Sequence, residues 1–232
     1  MDFLQRMWAL FTRYGSFFAE GVQNTLIIAF FSVALGTAFG TLMAMLRMSR
    51  LRLIKFLAAA YIEFIRGTPL MVQLMFIFYG LPLTGVTIPD VPFIPNFSRF
   101  AAGILAMSIN SCAYVAEIIR SGIQAVDPGQ SEAARSLGFR QSQTMALVVL
   151  PQAVKNILPA LGNEFVTVIK ESSIVSVIGI ADLMFRSKDV IAVTYRSLES
   201  LAVAAILYFI LTFASSRFIA FMERRMANGA KQ

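Results

Sequence analysis

The chain has 232 residues, 57% of them hydrophobic and 14% charged, with a net charge of +7. So apolar a composition excludes a soluble domain and marks an all-α polytopic membrane protein of about five or six spans. With no histidine and one cysteine, Cys112, the chain lacks material for disulfides, ordinary zinc sites or histidine-based catalysis, and its dispersed positive charge fits basic loop ends rather than nucleic acid.

Residues 3 to 18 keep Met7, Phe11, Tyr14 and Phe18 to one side and Arg6 and Arg13 away from it. The spacing predicts an amphipathic helix lying in the membrane interface, within a leading segment 1–20. It lacks the short apolar core and cleavage site of a signal peptide. Gly21 to Leu46 carries no charge and spans the membrane, with Gly36 and Gly40 as a GxxxG pair for close helix packing. After the basic loop Arg47, Arg50, Arg52 and Lys55, a second span runs from near Leu53 to Leu81, interrupted by EFIRGTPL at Glu63 to Leu70. Pro82, Pro89, Pro92 and Pro95 mark an extended outer loop. A third span covers about Phe100 to Arg120 and carries Asn110, Ser111, Tyr114 and Glu117.

Asp127 to Pro151 is polar and built like two short helices between apolar spans. Asp127 suits an N-cap, Pro128 the first turn, and Gln130 the acceptor position of a capping box. Ala133, Ala134 and Leu137 give this helix a small apolar side, and Gly138 stands where a left-handed residue ends it. A second helix starts near Ser142 and runs until Pro151 interrupts it. The fourth span then reaches Lys170 and includes Asn163 and Glu164. Lys170 to Leu183 is too short to span and reads as re-entrant or interfacial, Ser200 to Ser216 is the fifth span, and 223–232 is a basic tail. Residues 21–222 thus form one transmembrane domain.

Five spans put the termini on opposite sides. The loop 47–55, the stretch 120–155 and the tail 217–231 hold twelve Lys and Arg, against six on the other faces. The bias places the N-terminus outside, and the helix–turn–helix and C-terminus in the cytoplasm. No GxxxxGK[ST] is present, so the chain does not cradle ATP phosphates itself, and no motif assigns it catalytic residues or a metal.

Glu132-Ala133-Ala134, Gly138 four residues later, and Leu150-Pro151 closing an apolar helix together resemble the EAA loop of ATP-binding-cassette importer permeases. Three stretches resemble the polar amino-acid branch of that family: EFIRGTPLMVQL (Glu63 to Leu74), AYVAEIIRSGIQAV (Ala113 to Val126), and LPALGNEF with the later KESSIVSVIG. The resemblance covers residues 20 to 222. It implies a permease subunit of an importer for polar or charged amino acids in the bacterial inner membrane. The implied partners are a second permease (an identical copy or a close paralogue), a cytoplasmic ATPase subunit and an extracytoplasmic amino-acid-binding protein. The chain would hydrolyse nothing and hold no cofactor, ATP being used by the partner. Glu132, Ala133, Ala134, Arg135 and Gly138 would couple it to the ATPase. A self-contained secondary transporter or channel is the alternative, and a scaffold or insertase a third class; neither is supported by an inverted repeat, a proton relay or a need for midplane charge.

Counting 1.5 Å per residue, Arg66 lies about 18–20 Å into its span, and Glu164 about 18–20 Å above Pro151. Asn110 lies about 15 Å below the outer end of its span, so all three fall near the bilayer midplane. Charges there face a cavity or each other. One reading is a mutual Arg66–Glu164 ion pair that braces the spans. The other is a zwitterion site, with Arg66 at the α-carboxylate, Glu164 at the α-amino group, and Thr68, Asn110, Ser111, Asn163 and the backbone carbonyls freed around Pro69 adding hydrogen bonds. Tyr114 lines the cavity or packs.

Overall fold

A computed structural model of the chain describes residues 2–92 and 96–228, which are helical apart from the connections, the longest described one being residues 84–92. The helices are α1 (Phe3–Arg13), α2 (Gly15–Arg47), α3 (Arg52–Gly67), α4 (Leu70–Leu83) and α5 (Phe97–Gln124), followed by α6 (Pro128–Ser136) and α7 (Gln141–Thr144). Then come α8 (Leu150–Glu171), α9 (Leu183–Thr194) and α10 (Ser197–Asn228), with a π-helical turn at Met145–Val149 and a 3-10 turn at Ser172–Ile178.

Among the described residues four helical stretches are long and apolar enough to cross a membrane, and α3 with α4 makes a fifth if the pair, bent by 106° at its break, is counted as one span. The two halves of the bent pair pack against different parts of α2 and α5. Ile62 of α3 is buried with Ala44 and Ala116, near the basic ends of α2 and α5. Leu74 of α4 is buried with Ile28 and Ala106, toward their other ends. The break itself follows from Pro69, which lacks an N–H and forces the residue before it out of the helical region.

The central helix is α5, flanked by α2, α3, α4 and α8. Gly36 and Gly40 bring α2 onto it as the GxxxG pattern predicts: a Cβ on Gly40 would stand 2.9 Å from the Cys112 carbonyl oxygen, and one on Gly36 2.8 Å from the Ser111 side chain.

Several boundaries differ from the sequence reading. The N-terminal helix stops at Arg13; Tyr14 breaks it, and α2 begins at Gly15, before the expected start of the span. Pro151 does not end a helix. It has no N–H for the turn before it, which widens into the π-helical turn, and Pro151 then sits in the first turn of α8. The second arm of the hairpin and the fourth span are therefore one continuous rod. The segment after Lys170 is not a separate candidate span: its 3-10 turn and the residues after it bury Val175, Ile178 and Ile180 beside Ile28 and Leu74. The tail expected from 223 continues as helix to Asn228, and residues 229–232, like Pro95, lie outside the described residues.

Candidate functional site

Two regions gather the candidate residues. The first is the hairpin of α6 and α7. Asp127 caps α6, its Oδ1 accepting the Gly129 N–H at 2.7 Å, with Pro128 in the first turn. At the other end Gly138 takes φ +87°, the Gly138 N–H donates to the Arg135 carbonyl at 3.0 Å, and the Phe139 N–H donates to the Ala134 carbonyl at 3.2 Å. This paired bonding is the Schellman ending that a left-handed glycine permits. The second arm starts at Gln141, one residue earlier than expected, with the Arg140 N–H held by Gln143 Oε1 at 2.9 Å.

Gln130 does not close a capping box on α6. Its Oε1 instead accepts from Gln152 Nε2 at 3.3 Å, and Gln152 also donates to the Val148 carbonyl at 2.9 Å. The pair bolts the hairpin to the base of α8. Beneath it, Val126, Val149, Ala153 and Ile157 are buried together against Ile118, Ile119 and Ile123 of α5. The flanks of the hairpin, Val126 before α6 and Val149 after α7, are thus packed with α5 and α8, and α6 itself lies on the π-helical turn of its second arm.

The alanine pair is divided. Ala134 is buried against its own chain, while Glu132, Ala133 and Arg135 face out. Close approach by a partner through both alanines is therefore not available. The apex carries apolar side chains the sequence reading did not assign to contact: Leu137, 79% exposed, and Phe139, 38% exposed, on either side of Gly138. The two residues on either side of Gly138 are legible in the sequence, but their exposure is not.

The second region lies at the middle of the spans. Ser111 Oγ donates to Glu164 Oε1 at 2.9 Å, the Arg66 guanidinium stands over the Tyr114 ring at 5.3 Å, and Asn110 Nδ2 donates to Gln73 Oε1 at 2.9 Å. Three residues of one face of α5 thus hold one partner each, on α3, α4 and α8. Among the described residues Arg66 makes no ion pair, so the brace between Arg66 and Glu164 does not form. Thr68 Oγ1 donates to the Phe64 carbonyl at 2.9 Å, and Asn163 is exposed. Glu117 pairs with Arg120, as a helix-end pair should. A cavity of about 900 Å³ lies apart from all seven candidates, between the N-terminal halves of α2 and α5, lined by Ile27, Phe31, Phe100 and Leu105 among others.

A third polar cluster lies at the turn before α9. Asp182 is fully buried, accepting the Met184 and Phe185 N–H groups at 3.2 and 2.9 Å and the Tyr208 hydroxyl at 3.1 Å. Asn24 Nδ2 donates to the Ala181 carbonyl at 2.8 Å, and the Leu183 N–H to Thr25 Oγ1 at 3.2 Å, which ties α2 to the same turn. Burial pushes the Asp182 carboxyl up to about 6 against these donors. In the loop before α5, Asp90 lies below the usual carboxylate range because the Ser98 N–H donates to it at 2.9 Å.

Three comparisons bear on this geometry. The profile of the family described as "Binding-protein-dependent transport system inner membrane component" matches residues 36–228. The chain is 43% identical over 196 residues to the arginine transport system permease protein ArtQ of Bacillus subtilis (strain 168), covering 84% of this chain and 85% of that one. It is 40% identical over 211 residues to the putative glutamine transport system permease protein GlnP of Rickettsia conorii, covering 90% and 93%. A solved structure, "Crystal structure of an amino acid ABC transporter with histidines", contains a chain that superposes with a TM-score of 0.87 at 48% identity, covering 97% of this chain and 99% of that one.

Proposed function

The chain belongs to the family of binding-protein-dependent transport system inner membrane components, and on that premise we propose how it works. It is a multi-pass permease subunit of an ATP-binding-cassette importer, and its cargo is a polar or charged amino acid. The relatives named for arginine and glutamine transport support that substrate class. ATP is hydrolysed on a separate cytoplasmic ATPase subunit. The N-terminus faces outward, where an amino-acid-binding protein delivers the cargo, and the hairpin and C-terminus face inward. A second permease, identical or a close paralogue, completes the pathway.

The observation that carries this reading is the hairpin: a capped, bolted element whose exposed tip, Leu137-Gly138-Phe139, is apolar and rimmed by Glu132, Ala133 and Arg135. A rigid tip joined to α5 and to the α8 rod transmits a push from the ATPase to the spans, since packed elements move between discrete arrangements rather than deforming. At the midplane, Arg66 receives the α-carboxylate of the cargo and Glu164 its α-amino group, with Thr68, Ser111, Tyr114 and Asn163 lining the passage. The test is uptake by the reconstituted importer with this chain present, against a panel of labelled amino acids. Saturable, ATP-dependent uptake of a polar amino acid, with the ATPase co-purifying in mild detergent, is the expected result. Uptake that needs no ATPase would point instead to a self-contained transporter.

A further inference from the structure

A helix broken inside a bilayer strands backbone groups. At the break between α3 and α4 the last carbonyls of α3 lose their amide partners, and Pro69 offers no N–H in compensation. In hydrocarbon such groups must be satisfied by protein. One side chain does most of this. Gln73, one turn into α4 and 8% exposed, donates from Nε2 to the Ile65 carbonyl at 2.7 Å, to Thr68 Oγ1 at 2.9 Å and to the Thr68 carbonyl at 3.1 Å. Two amide hydrogens serve these three acceptors, so one is shared. Thr68 Oγ1 passes its own hydrogen to the Phe64 carbonyl at 2.9 Å. The remaining end of the carboxamide, Oε1, accepts from Asn110 of α5 at 2.9 Å.

The arrangement does more than satisfy polar groups. It locks both sides of the break to each other and then to α5, at a residue adjacent to Ser111 and one turn from Tyr114, which hold Glu164 and Arg66. Packing alone does not call for a carboxamide here, since its neighbour Leu74 already fills the core and an amide in a span is costly to insert. We propose that Gln73, tethered by Asn110, is a positioning residue for transport: it sets the angle of the broken span and thereby places Arg66 and Thr68 at the passage. The inference rests on the reading of that passage as the transport route, and it moves Asn110 from contact with cargo to support of Gln73.

The experiment uses the complete reconstituted importer, in a Cys112→Ser background, with spin labels on Phe56→Cys and Tyr79→Cys, both exposed, on α3 and α4. The distance distribution across the break is measured together with uptake and ATPase co-purification. The unsubstituted Gln73 protein should give one narrow distribution. Gln73→Leu, which keeps the volume and removes every bond, should broaden or lengthen it and lower uptake by tenfold or more, by about the worth of two or three hydrogen bonds, with the ATPase still bound. Gln73→Glu, which keeps the Asn110 acceptor and loses the donors, should behave likewise. Asn110→Ala, which removes only the tether, should fall between. If Gln73→Leu fails to accumulate, the other two variants decide. An unchanged distance with lost uptake would make Gln73 a cargo contact and overturn the proposal, as would a broadened distance with normal uptake. Should Arg66→Met transport normally while the Gln73 variants do not, the positioning role survives and the assignment of Arg66 to the cargo fails.

Discussion

The hairpin and the midplane, to which the proposed function gives complementary jobs, are built by opposite means. The hairpin is specified locally: Asp127 caps its start, Gly138 ends its first helix at φ +87°, and bonds between near neighbours fix both. The midplane is specified at long range, by Asn110 reaching Gln73 across 37 residues and Ser111 reaching Glu164 across 53. A surface that must engage a separate subunit benefits from a shape independent of the state of the spans. A passage that must open and close benefits from contacts between different helices, because those are the contacts that a relative movement remakes.

The most severe way to disturb the local side is Gly138→Val. At φ +87° a β-branched side chain is strained by about 1–3 kcal/mol even though nothing crowds its Cβ. The second arm would leave at another angle while the spans insert normally. Membrane abundance should be unchanged, ATPase co-purification weakened and uptake abolished; wild-type transport would show the hairpin is not the coupling element.

On the long-range side, Arg66→Met and Glu164→Gln should each abolish uptake with little change in melting temperature in detergent, because neither leaves the other as an orphaned ion-pair partner. The double variant should be as stable and equally inactive. Recovered uptake in the double variant would restore the brace and remove the cargo site.

Legibility in the sequence divides along the same line. The span pattern, the break at EFIRGTPL, the cap at Asp127 and the turn at Gly138 were readable, because composition, Pro69 and local capping chemistry determine them. Gln73 was not, because nothing in its neighbourhood says that its carboxamide turns back to Ile65 and out to Asn110. Nor was the union of the second hairpin arm with α8: Pro151 looked like a stop, yet the π-helical turn before it accommodates the missing N–H. The division of Ala133 from Ala134 was equally hidden, since it depends on how α6 sits on the second arm of the hairpin.

A smaller effect concerns Asp182, which joins α2, α9 and α10. Its folded carboxyl titrates at about 6, above the 3.8 of an unperturbed aspartate, so the fold binds a proton that the unfolded chain has released. The contribution to stability is complete below about pH 4 and is lost as the pH rises through 6, amounting to at most about 3 kcal/mol. Thermal stability of the purified chain should fall between pH 4 and pH 7, and Asp182→Asn should flatten that dependence. A slope unchanged in the variant would assign it to another group.

The mildest change is Asp127→Ala, which removes the α6 cap and should cost about 0.5–2 kcal/mol, local to the hairpin. Amide exchange should quicken over residues 128–136 and remain unchanged in α5; protection lost equally in both would mean that the hairpin is not an independent unit.

The central claim, that the hairpin tip meets the ATPase, is open to one direct measurement. A photo-reactive amino acid replaces Leu137, 79% exposed at the tip, or in a control replaces Tyr195, 90% exposed at the turn between α9 and α10. Illuminated in the assembled, transporting complex, the Leu137 position should form an adduct with the ATPase subunit and the Tyr195 position should not. An active complex that yields the ATPase adduct from Tyr195, and none from Leu137, would contradict the account.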